Sequence, residues 1–261
     1  MTQVWELSPR LVAHARKRKS GRVIPSPGTP LSLARLQEEV IRCRKCPRLV
    51  RYRERVAVEK VRRFASEEYW GKPVPGFGVV GARLLVVGLA PAAHGGNRTG
   101  RVFTGDRSGD WLYAALHRHG FATEPHSVSR DDGLRLRDAY ISAAVRCAPP
   151  GNKPTRKEMD TCRAYLVREI EMLERVRVVI ALGKIGFDSF LTAWQGLGRE
   201  VGKPKPKFAH GSEHRIEGGL ILLGSYHPSQ QNTFTGRLTR AMFHGVFERA
   251  RSLLKDAGAR S

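Results

Sequence analysis

Arg83-Leu-Leu-Val-Val-Gly88 is a short, continuous apolar run, and a glycine-rich loop follows it at once. Three more runs of this kind occur further along the chain: Ala139–Val145, Val176–Leu182 and Leu220–Ser225. Each is rich in leucine or β-branched residues and lacks polar–apolar alternation, which is typical of strands that are buried on both faces. The four runs therefore predict four neighbouring strands of one sheet.

Helical patterns separate these strands. They cover Ser32 to about Cys43, Asp110–His119, Arg156–Arg175, Ile185–Trp194 and about Thr239 to Lys255. Strands that alternate with helices favour a parallel sheet covered by helices on both faces. We expect an α/β fold of three layers, αβα, with a four-stranded parallel sheet, formed as a single domain by residues 31–261.

The charge of the chain indicates a polyanionic partner. Its 261 residues include 46 Lys and Arg against 24 Asp and Glu, a formal net charge of +22. Between Arg42 and Arg63 there are ten basic residues and two acidic ones. No basic amphipathic helix with an aromatic apolar face is evident, so nucleic acid is favoured over a membrane surface.

The segment 1–30 contains the basic cluster Arg16-Lys-Arg-Lys-Ser-Gly-Arg22 and several prolines. This composition predicts a flexible basic arm, either a tail without a specific role or an arm that contacts DNA. The first residues lack the apolar run of a signal peptide, and no run is long enough to span a membrane. We expect a cytoplasmic protein and, since no oligomer interface is evident, a monomer.

Chemistry is expected at the carboxyl ends of the strands, where open parallel sheets bind ligands. The first strand leads into a loop of small residues that ends at Asp106. The loop lacks the lysine of a phosphate-binding loop and the spacing of a dinucleotide fingerprint. Asp106 precedes a helix, so it either caps that helix or belongs to the site.

The second and fourth strands lead to further polar residues. Asn152 lies between Gly and Lys, where it is either a turn residue or an amide that contacts a base edge. Thr155 and Glu158 form the pattern of a capping box. His227 follows the fourth strand, and a histidine at a strand end before a polar loop is more often functional than structural.

The loop after His227 has the composition of a DNA-contacting wedge. An apolar tip can unstack bases while polar flanks hold the backbone of the nucleic acid. We assign DNA contacts to the following residues: Ser229, Gln230, Gln231, Asn232, Arg237 and, as the apolar tip, Leu238.

Four cysteines, Cys43-x2-Cys46 and Cys147-x14-Cys162, are enough to hold one metal centre. A reducing compartment argues against disulfides. A set of four cysteines serves zinc and iron–sulfur clusters alike, so the spacing leaves the metal open.

Together these motifs resemble a known family. Gly88-Leu-Ala-Pro-Ala-Ala-His-Gly95, Asn97-Arg-Thr-Gly-Arg-Val-Phe-Thr-Gly-Asp106, His227-Pro-Ser-Gln-Gln-Asn232 and the four cysteines are similar to those of the type-b (family five) uracil-DNA glycosylases. The resemblance implies removal of uracil and other deaminated bases, such as hypoxanthine, from DNA, which leaves an abasic site. It also implies that the cysteines hold a structural 4Fe-4S cluster.

The resemblance also implies roles for single residues. Asp106 would orient the attacking water, Asn152 would contact the base edge or the water, and His227 would stabilise the charge on the departing base. Phe103 would stack on the flipped base, although core packing is an equally good reading of this ring. The backbone of Leu89, Ala90, Pro91 and Ala92 would line the pocket.

One position departs from the wider superfamily. Narrow uracil-DNA glycosylases carry an acidic residue in the first motif, whereas this chain reads Pro91-Ala92-Ala93. The family resemblance implies that Asp106 orients the water instead, and we expect the small side chains to leave room for a purine.

The chain lacks a lysine at a pocket position, so we expect a monofunctional hydrolase without strand cleavage. A non-enzymatic iron–sulfur protein that binds nucleic acid or senses redox state is the alternative. It explains the charge and the cysteines but leaves the polar strand-end loops without a role. A zinc-stabilised enzyme that acts on a free nucleotide is a third reading, and it does not explain the net charge.

Overall fold

Four parallel strands form the centre of a six-stranded sheet in a computed structural model, which describes residues 32–258. The strands are β1 (Phe77–Gly78), β2 (Leu84–Gly88), β3 (Ala139–Ala143), β4 (Val178–Leu182), β5 (Glu213–Arg215) and β6 (Ile221–Ser225). Their order is β1-β3-β2-β4-β6-β5, and the four predicted strands lie side by side in parallel register.

The prediction of a four-stranded parallel sheet was incomplete, because the sheet is mixed. β1 pairs with β3 and β5 pairs with β6, both in antiparallel orientation. These edge strands have only two and three residues, and Glu213–Arg215 is polar. Edge strands face solvent on one side, so they lack the apolar run that reveals a central strand.

Eight helices surround the sheet within residues 32–258. They are α1 (Leu33–Ile41), α2 (Pro47–Glu59), α3 (Gly96–Thr99), α4 (Arg107–Arg118), α5 (Arg156–Met172), α6 (Gly183–Gly196), α7 (Gln230–Phe234) and α8 (Arg240–Gly258). A short 3-10 helix, Arg62–Phe64, follows α2. The capping box that Thr155 and Glu158 predict is present at the start of α5.

Helix α2 was missed from sequence. Four of its thirteen residues are arginines, and the apolar positions that it buries are few: Leu49, Val50 and Val56. The available signal was Pro47 at the first helical position, where proline is favoured.

The strands carry a hydrophobic core on each face, as the predicted three layers require. In β2, Leu84 and Val86 belong to the core that faces α4 and α8, whereas Leu85 and Val87 belong to the core that faces α1, α5 and α6. Alternate residues of a strand point to opposite faces, so one apolar run supplies both cores.

Residues from Ser32 onward form one compact unit. The basic arm predicted for residues 1–30 lies outside the described residues. In the part of the chain that the structure describes, no helix combines the length and apolarity needed to cross a membrane.

The loops that leave β2 and β3 stay together beyond the ends of their strands. The Ala144 amide donates to the Gly88 carbonyl, and the Val145 amide donates to the Leu89 carbonyl, each at 2.9 Å. This pairing brings the glycine-rich loop and the Asn152 loop to the same edge of the sheet.

Candidate active site

A large open cavity, of about 860 Å³, lies at this edge. Its lining includes Tyr52, Ala92, His94, Asp106, Asn152 and Gln230. These residues come from three loops that follow strands and from helix α2. The cavity therefore joins segments that are far apart in the sequence, as expected at the carboxyl edge of a parallel sheet.

Asp106 combines the two roles that the sequence left open. One carboxylate oxygen, Oδ1, accepts the Gly109 amide at 2.9 Å and caps α4. The other, Oδ2, lies against Gly95, where a Cβ would come within 2.2 Å of it. Burial raises the pKa of this carboxyl group, although the Gly109 and Ser108 amides oppose the rise. A carboxylate that is fixed by one oxygen and desolvated at the other suits the positioning of a water molecule.

Arg98 joins two points of the loop that leads to Asp106. Its Nε donates to the His94 carbonyl at 2.9 Å and its second terminal nitrogen donates to the Gly105 carbonyl at 3.0 Å. An ion pair with Glu67 fixes the same guanidinium. Sequence reasoning missed this residue, because an arginine inside a basic protein carries no signal of its own.

His227 lies two residues beyond the end of β6. The Asn232 side-chain nitrogen donates to the His227 carbonyl at 2.9 Å, so Asn232 fixes the backbone of the histidine, and its contact with DNA stays a prediction. Burial lowers the pKa of His227 to about 4. The imidazole is therefore neutral at pH 7, and a neutral ring still offers one N–H as a donor.

Phe103 packs beside His227, with 5.8 Å between the ring centroids. The ring is buried, belongs to the core on the α4 side, and lies where a Cβ on Gly88 would come within 2.5 Å of it. Its backbone is left-handed, with φ of 53°. Such a conformation is unfavourable for a bulky residue, so it indicates a constrained position. Core packing is confirmed; stacking on a base stays a prediction.

Asn152 lies exposed on the rim of the cavity. Its backbone is also left-handed, with φ of 56°, a conformation that Asn tolerates better than most residues. The predicted turn is present, because the Asn152 backbone amide donates to the Pro149 carbonyl at 3.1 Å. The turn leaves the side chain free to face a ligand.

Of the four residues predicted to line the pocket with their backbone, Ala92 does line the cavity. Leu89 and Ala90 are half-buried and Pro91 is buried. The lining continues instead through Ala93 and His94. The second half of the first motif, which includes Ala92, Ala93 and His94, therefore faces the cavity.

The assignment of Leu238 as an exposed apolar tip was wrong. Its side chain is 1% exposed and belongs to the core. The chain folds back after α7, and the Leu238 amide donates to the Asn232 carbonyl at 2.9 Å. The exposed apolar residue of this loop is Phe234, at 66% exposure.

The other residues assigned to DNA have varied surroundings. Ser229 caps α7 through its hydroxyl group. Gln230, Gln231 and Arg237 are exposed, and the Arg237 guanidinium lies 4.6 Å from the centroid of the Tyr226 ring. The exposed side chains remain available to a ligand.

The four cysteines line one small cavity together with apolar side chains of α2. Cys147 and Cys162 are buried, and Cys43 and Cys46 are half-buried. Burial raises the pKa of Cys147 to about 12 and that of Cys162 to about 11. As free thiols both would stay protonated at pH 7, so a bound cation is what would make them thiolates.

Two buried arginines offer further support for a metal centre. The Nε atoms of Arg53 and Arg146 are buried and lack a hydrogen-bond partner among the described residues. Both guanidinium groups lower the pKa of a neighbouring cysteine, Arg53 that of Cys147 and Arg146 that of Cys162. The donor set thus fits an anionic group at the cysteines. Within residues 32–258, no three His, Cys, Asp or Glu side chains are arranged to hold a single ion.

Arg48 connects the cysteine segment to the Asn152 loop. It forms an ion pair with Glu158 at 2.7 Å and donates to the Lys153 carbonyl at 3.1 Å. Glu158 also accepts the Thr155 amide in the capping box. The segment around Cys46 therefore supports the wall of the active-site cavity.

The site combines a half-buried carboxylate that lines a cavity with a neutral imidazole that follows β6 at the same edge of the sheet, and these are parts of a hydrolase site. The model of the uracil DNA glycosylase superfamily matches residues 75–251, which include all six strands. The chain belongs to the uracil-DNA glycosylase superfamily. Members of this family hydrolyse N-glycosidic bonds, so the prediction of such an enzyme is confirmed.

Sequence identity to individual relatives shows which type of uracil-DNA glycosylase the chain is more similar to. It is 53% identical over 226 residues to the type-5 uracil-DNA glycosylase of Mycobacterium bovis, which covers 85% of this chain and 82% of the relative. It is 52% identical over 211 residues to the type-5 enzyme of Thermus thermophilus, covering 81% and 93%. The type-4 uracil-DNA glycosylase of Pyrobaculum aerophilum is 31% identical over 201 residues, covering 76% and 84%. The likeness is thus stronger to the type-5 enzymes.

Proposed function

We propose that this protein removes uracil from DNA by hydrolysis and leaves an abasic site. The observation that carries the proposal is the Asp106 carboxylate, which is fixed by Gly109 and presents its second oxygen beside a cavity large enough for a base. The type-5 relatives support uracil as the substrate. Because a base inside a duplex is out of reach, the nucleotide must be flipped into the cavity.

In the proposed reaction three side chains act on the flipped nucleotide. The bond between the sugar C1′ and the base breaks, and its electron pair stays on the base. A water oxygen held by Asp106 bonds to C1′, and the carboxylate takes the proton of that water. His227 donates its N–H to the oxygen on which the base carries its negative charge. Asn152 contacts the base edge or the water, and no covalent intermediate is needed.

The wall formed by Ala92 and Ala93 supports a wider range of bases. Neither side chain extends beyond Cβ, and the cavity of about 860 Å³ accommodates a purine as well as a pyrimidine. We include hypoxanthine among the bases removed. The described pocket is complete within one chain, which supports a monomer.

Phe234 takes the place of Leu238 as the proposed wedge. The ring is exposed at the end of α7, and the Arg107 guanidinium lies 4.3 Å from its centroid. Gln230, which lines the cavity, begins the same helix. The ring would fill the space that the flipped base leaves, while Arg107 and Arg237 contact phosphates.

Binding to DNA is expected to weaken steeply with salt. Exposed arginines of the segment 42–63 would neutralise phosphates and release counterions, so log Kd should rise linearly with log salt concentration. With about six phosphate contacts, affinity would fall roughly 10³-fold between 50 and 200 mM salt. Fluorescence anisotropy on duplexes of unrelated sequence measures this. A flat salt response would contradict the proposed interface.

The Gly95→Ala variant is expected to lower kcat about 10²-fold, because the new Cβ would displace Asp106 Oδ2 and small misplacements are costly in catalysis. The backbone at Gly95, with φ of −104° and ψ of −109°, lies outside the regions that L-residues favour, so backbone strain adds to the displacement of the carboxylate. Gly245→Ala is the matched control, since a Cβ there meets open space. Single-turnover excision rates measure both variants. Equal rates for Gly95→Ala and the wild type would show that the carboxylate is not confined at this point.

We also propose that Cys43, Cys46, Cys147 and Cys162 hold a 4Fe-4S cluster. When bound, the cluster would supply a structural cross-link between helix α2, the Asn152 loop and helix α5. Its position outside the lining of the active-site cavity supports a structural role over one in hydrolysis. Arg53 and Arg146 would offset its negative charge.

Protein purified without exposure to oxygen is expected to be brown, with a broad absorption band near 400 nm and about four irons per chain, because four thiolates bind one such cluster. Cys147→Ser should abolish the band and lower the melting temperature. A colourless protein with one zinc per chain would contradict the cluster while leaving the glycosylase proposal intact.

The proposed activity is tested with a duplex that carries one uracil. Incubation followed by alkali should cut the strand at that position, whereas incubation without alkali should leave it whole. Tight binding without an alkali-labile product would instead favour the non-enzymatic DNA-binding protein. A duplex with hypoxanthine in place of uracil tests the wider range.

A further inference from the structure

Two aromatic rings at the mouth of the cavity have no role in the proposed reaction. Tyr52 lies on α2 and Phe64 ends the 3-10 helix that follows it. Both are half-buried and line the active-site cavity, and neither belongs to the two hydrophobic cores of the described residues. Burial in a core therefore does not explain them.

Arginines accompany both rings. The guanidinium of Arg63 lies 5.0 Å from the centroid of Phe64, and that of Arg55 lies 5.7 Å from the centroid of Tyr52. Arg55 and Arg63 are themselves exposed. Aromatic rings interleaved with arginines are the means by which proteins bind unpaired bases, since each base stacks on a ring and its phosphate meets a cation.

The Phe64 ring is fixed to the catalytic loop. The Arg98 guanidinium lies 3.9 Å from its centroid, and Arg98 in turn holds the carbonyl groups of His94 and Gly105. A base that stacks on Phe64 would thus lie at a defined place relative to Asp106. This geometry suits a nucleotide next to the one in the pocket.

We infer that Tyr52 and Phe64 form a second base-binding platform, which holds an unpaired base that neighbours the excised one in single-stranded or locally melted DNA. In an intact duplex this neighbour stays stacked on its own strand and cannot reach the platform. The platform therefore serves single strands. The inference rests on the proposed function, because it names a further part of the same substrate.

Leucine at position 64 is the decisive substitution. It keeps an apolar cover over Arg98 but removes the aromatic face. Phe64→Leu is expected to lower kcat/KM about tenfold on single-stranded uracil DNA, as the loss of one base–aromatic stack would, and less than threefold on the duplex. Phe64→Tyr keeps the aromatic face and should behave as the wild type on both substrates. Tyr52→Leu and Tyr52→Phe form the same pair at the other ring.

A second measurement does not depend on excision. The probe is a single strand in which 2-aminopurine lies next to uracil, either on its 5′ side or on its 3′ side. The fluorescence of each probe is measured when it binds the Asp106→Asn variant. Stacking on the platform should quench the fluorescence at one of the two positions, and adding Phe64→Leu should restore it.

The outcomes separate the two proposals. If the wild type excised uracil from neither substrate, the proposed function would be overturned. Fluorescence quenching that disappears in Phe64→Leu would still support the platform in that case. Equal losses on single strand and duplex, or wild-type behaviour of Phe64→Leu in both measurements, would show that Phe64 only covers Arg98.

Discussion

Asp106→Asn is expected to lower kcat on a uracil-containing duplex by about 10²- to 10⁴-fold, the usual contribution of a general base. The amide keeps the size of the side chain and still caps α4, because Asn is as good a cap as Asp. It cannot take a proton from water. The free energy of unfolding should stay the same or rise, since a buried charge is removed while the hydrogen bond to Gly109 is kept. Single-turnover kinetics and thermal unfolding measure the two effects.

Asp106→Ala is the companion variant, because it removes both the cap and the carboxylate. It should lose as much activity as Asp106→Asn and, in addition, about 1 kcal/mol of stability through the lost cap. If Asp106→Asn retained the wild-type kcat, Asp106 would be a cap alone and another group would position the water.

The pH dependence gives an independent check on this assignment. Burial raises the pKa of Asp106, so the carboxylate is protonated at a higher pH than an exposed Asp. Activity should therefore fall as the pH drops through this raised pKa. His227 has a pKa of about 4, so protonation of its imidazole adds a second loss in acid. The residual activity of Asp106→Asn should lack the first of these two losses.

His227→Ala is expected to lower kcat by about 10²- to 10³-fold, as the loss of one donor to a developing oxyanion typically does. The ground-state base carries less negative charge than the departing one, so KM should change little. Steady-state kinetics on the duplex separates kcat from KM.

Asn232→Ala is the control for the position of the ring. It removes the hydrogen bond to the His227 carbonyl but leaves the imidazole in place, and its effect on kcat should be smaller than that of His227→Ala. A rise in KM with an unchanged kcat in His227→Ala would contradict a donor that acts in the transition state. It would indicate instead that the histidine binds the substrate uniformly.

The central sheet could be predicted from sequence because strands that are buried on both faces consist of continuous apolar runs. The run Arg83–Gly88 supplies residues to both cores, and its strand is found within one residue of the predicted bounds. The edge strands Phe77–Gly78 and Glu213–Arg215 could not be found in this way. β1 pairs with β3, which is distant in sequence, and β5 is a polar strand of three residues that pairs with β6.

The place of a candidate residue in the fold was predictable where its residue type has few structural uses, while its chemical role stays a prediction. A histidine and an asparagine after strands meet this condition, and both lie at the edge of the sheet where they were expected. Leu238 and Phe234 do not meet it. Which of two apolar residues four positions apart faces solvent depends on where α7 ends and how the chain turns back. The role of Arg98 depends on the same kind of tertiary information.

The cap at the start of α4 makes the Asp106 carboxyl group observable by spectroscopy. The Gly109 amide donates to Asp106 Oδ1, so its proton chemical shift follows the protonation and the placement of that carboxylate. A pH titration of this one resonance would read the pKa of the group directly in the resting protein. The backbone thus offers a reporter that requires neither substrate nor turnover.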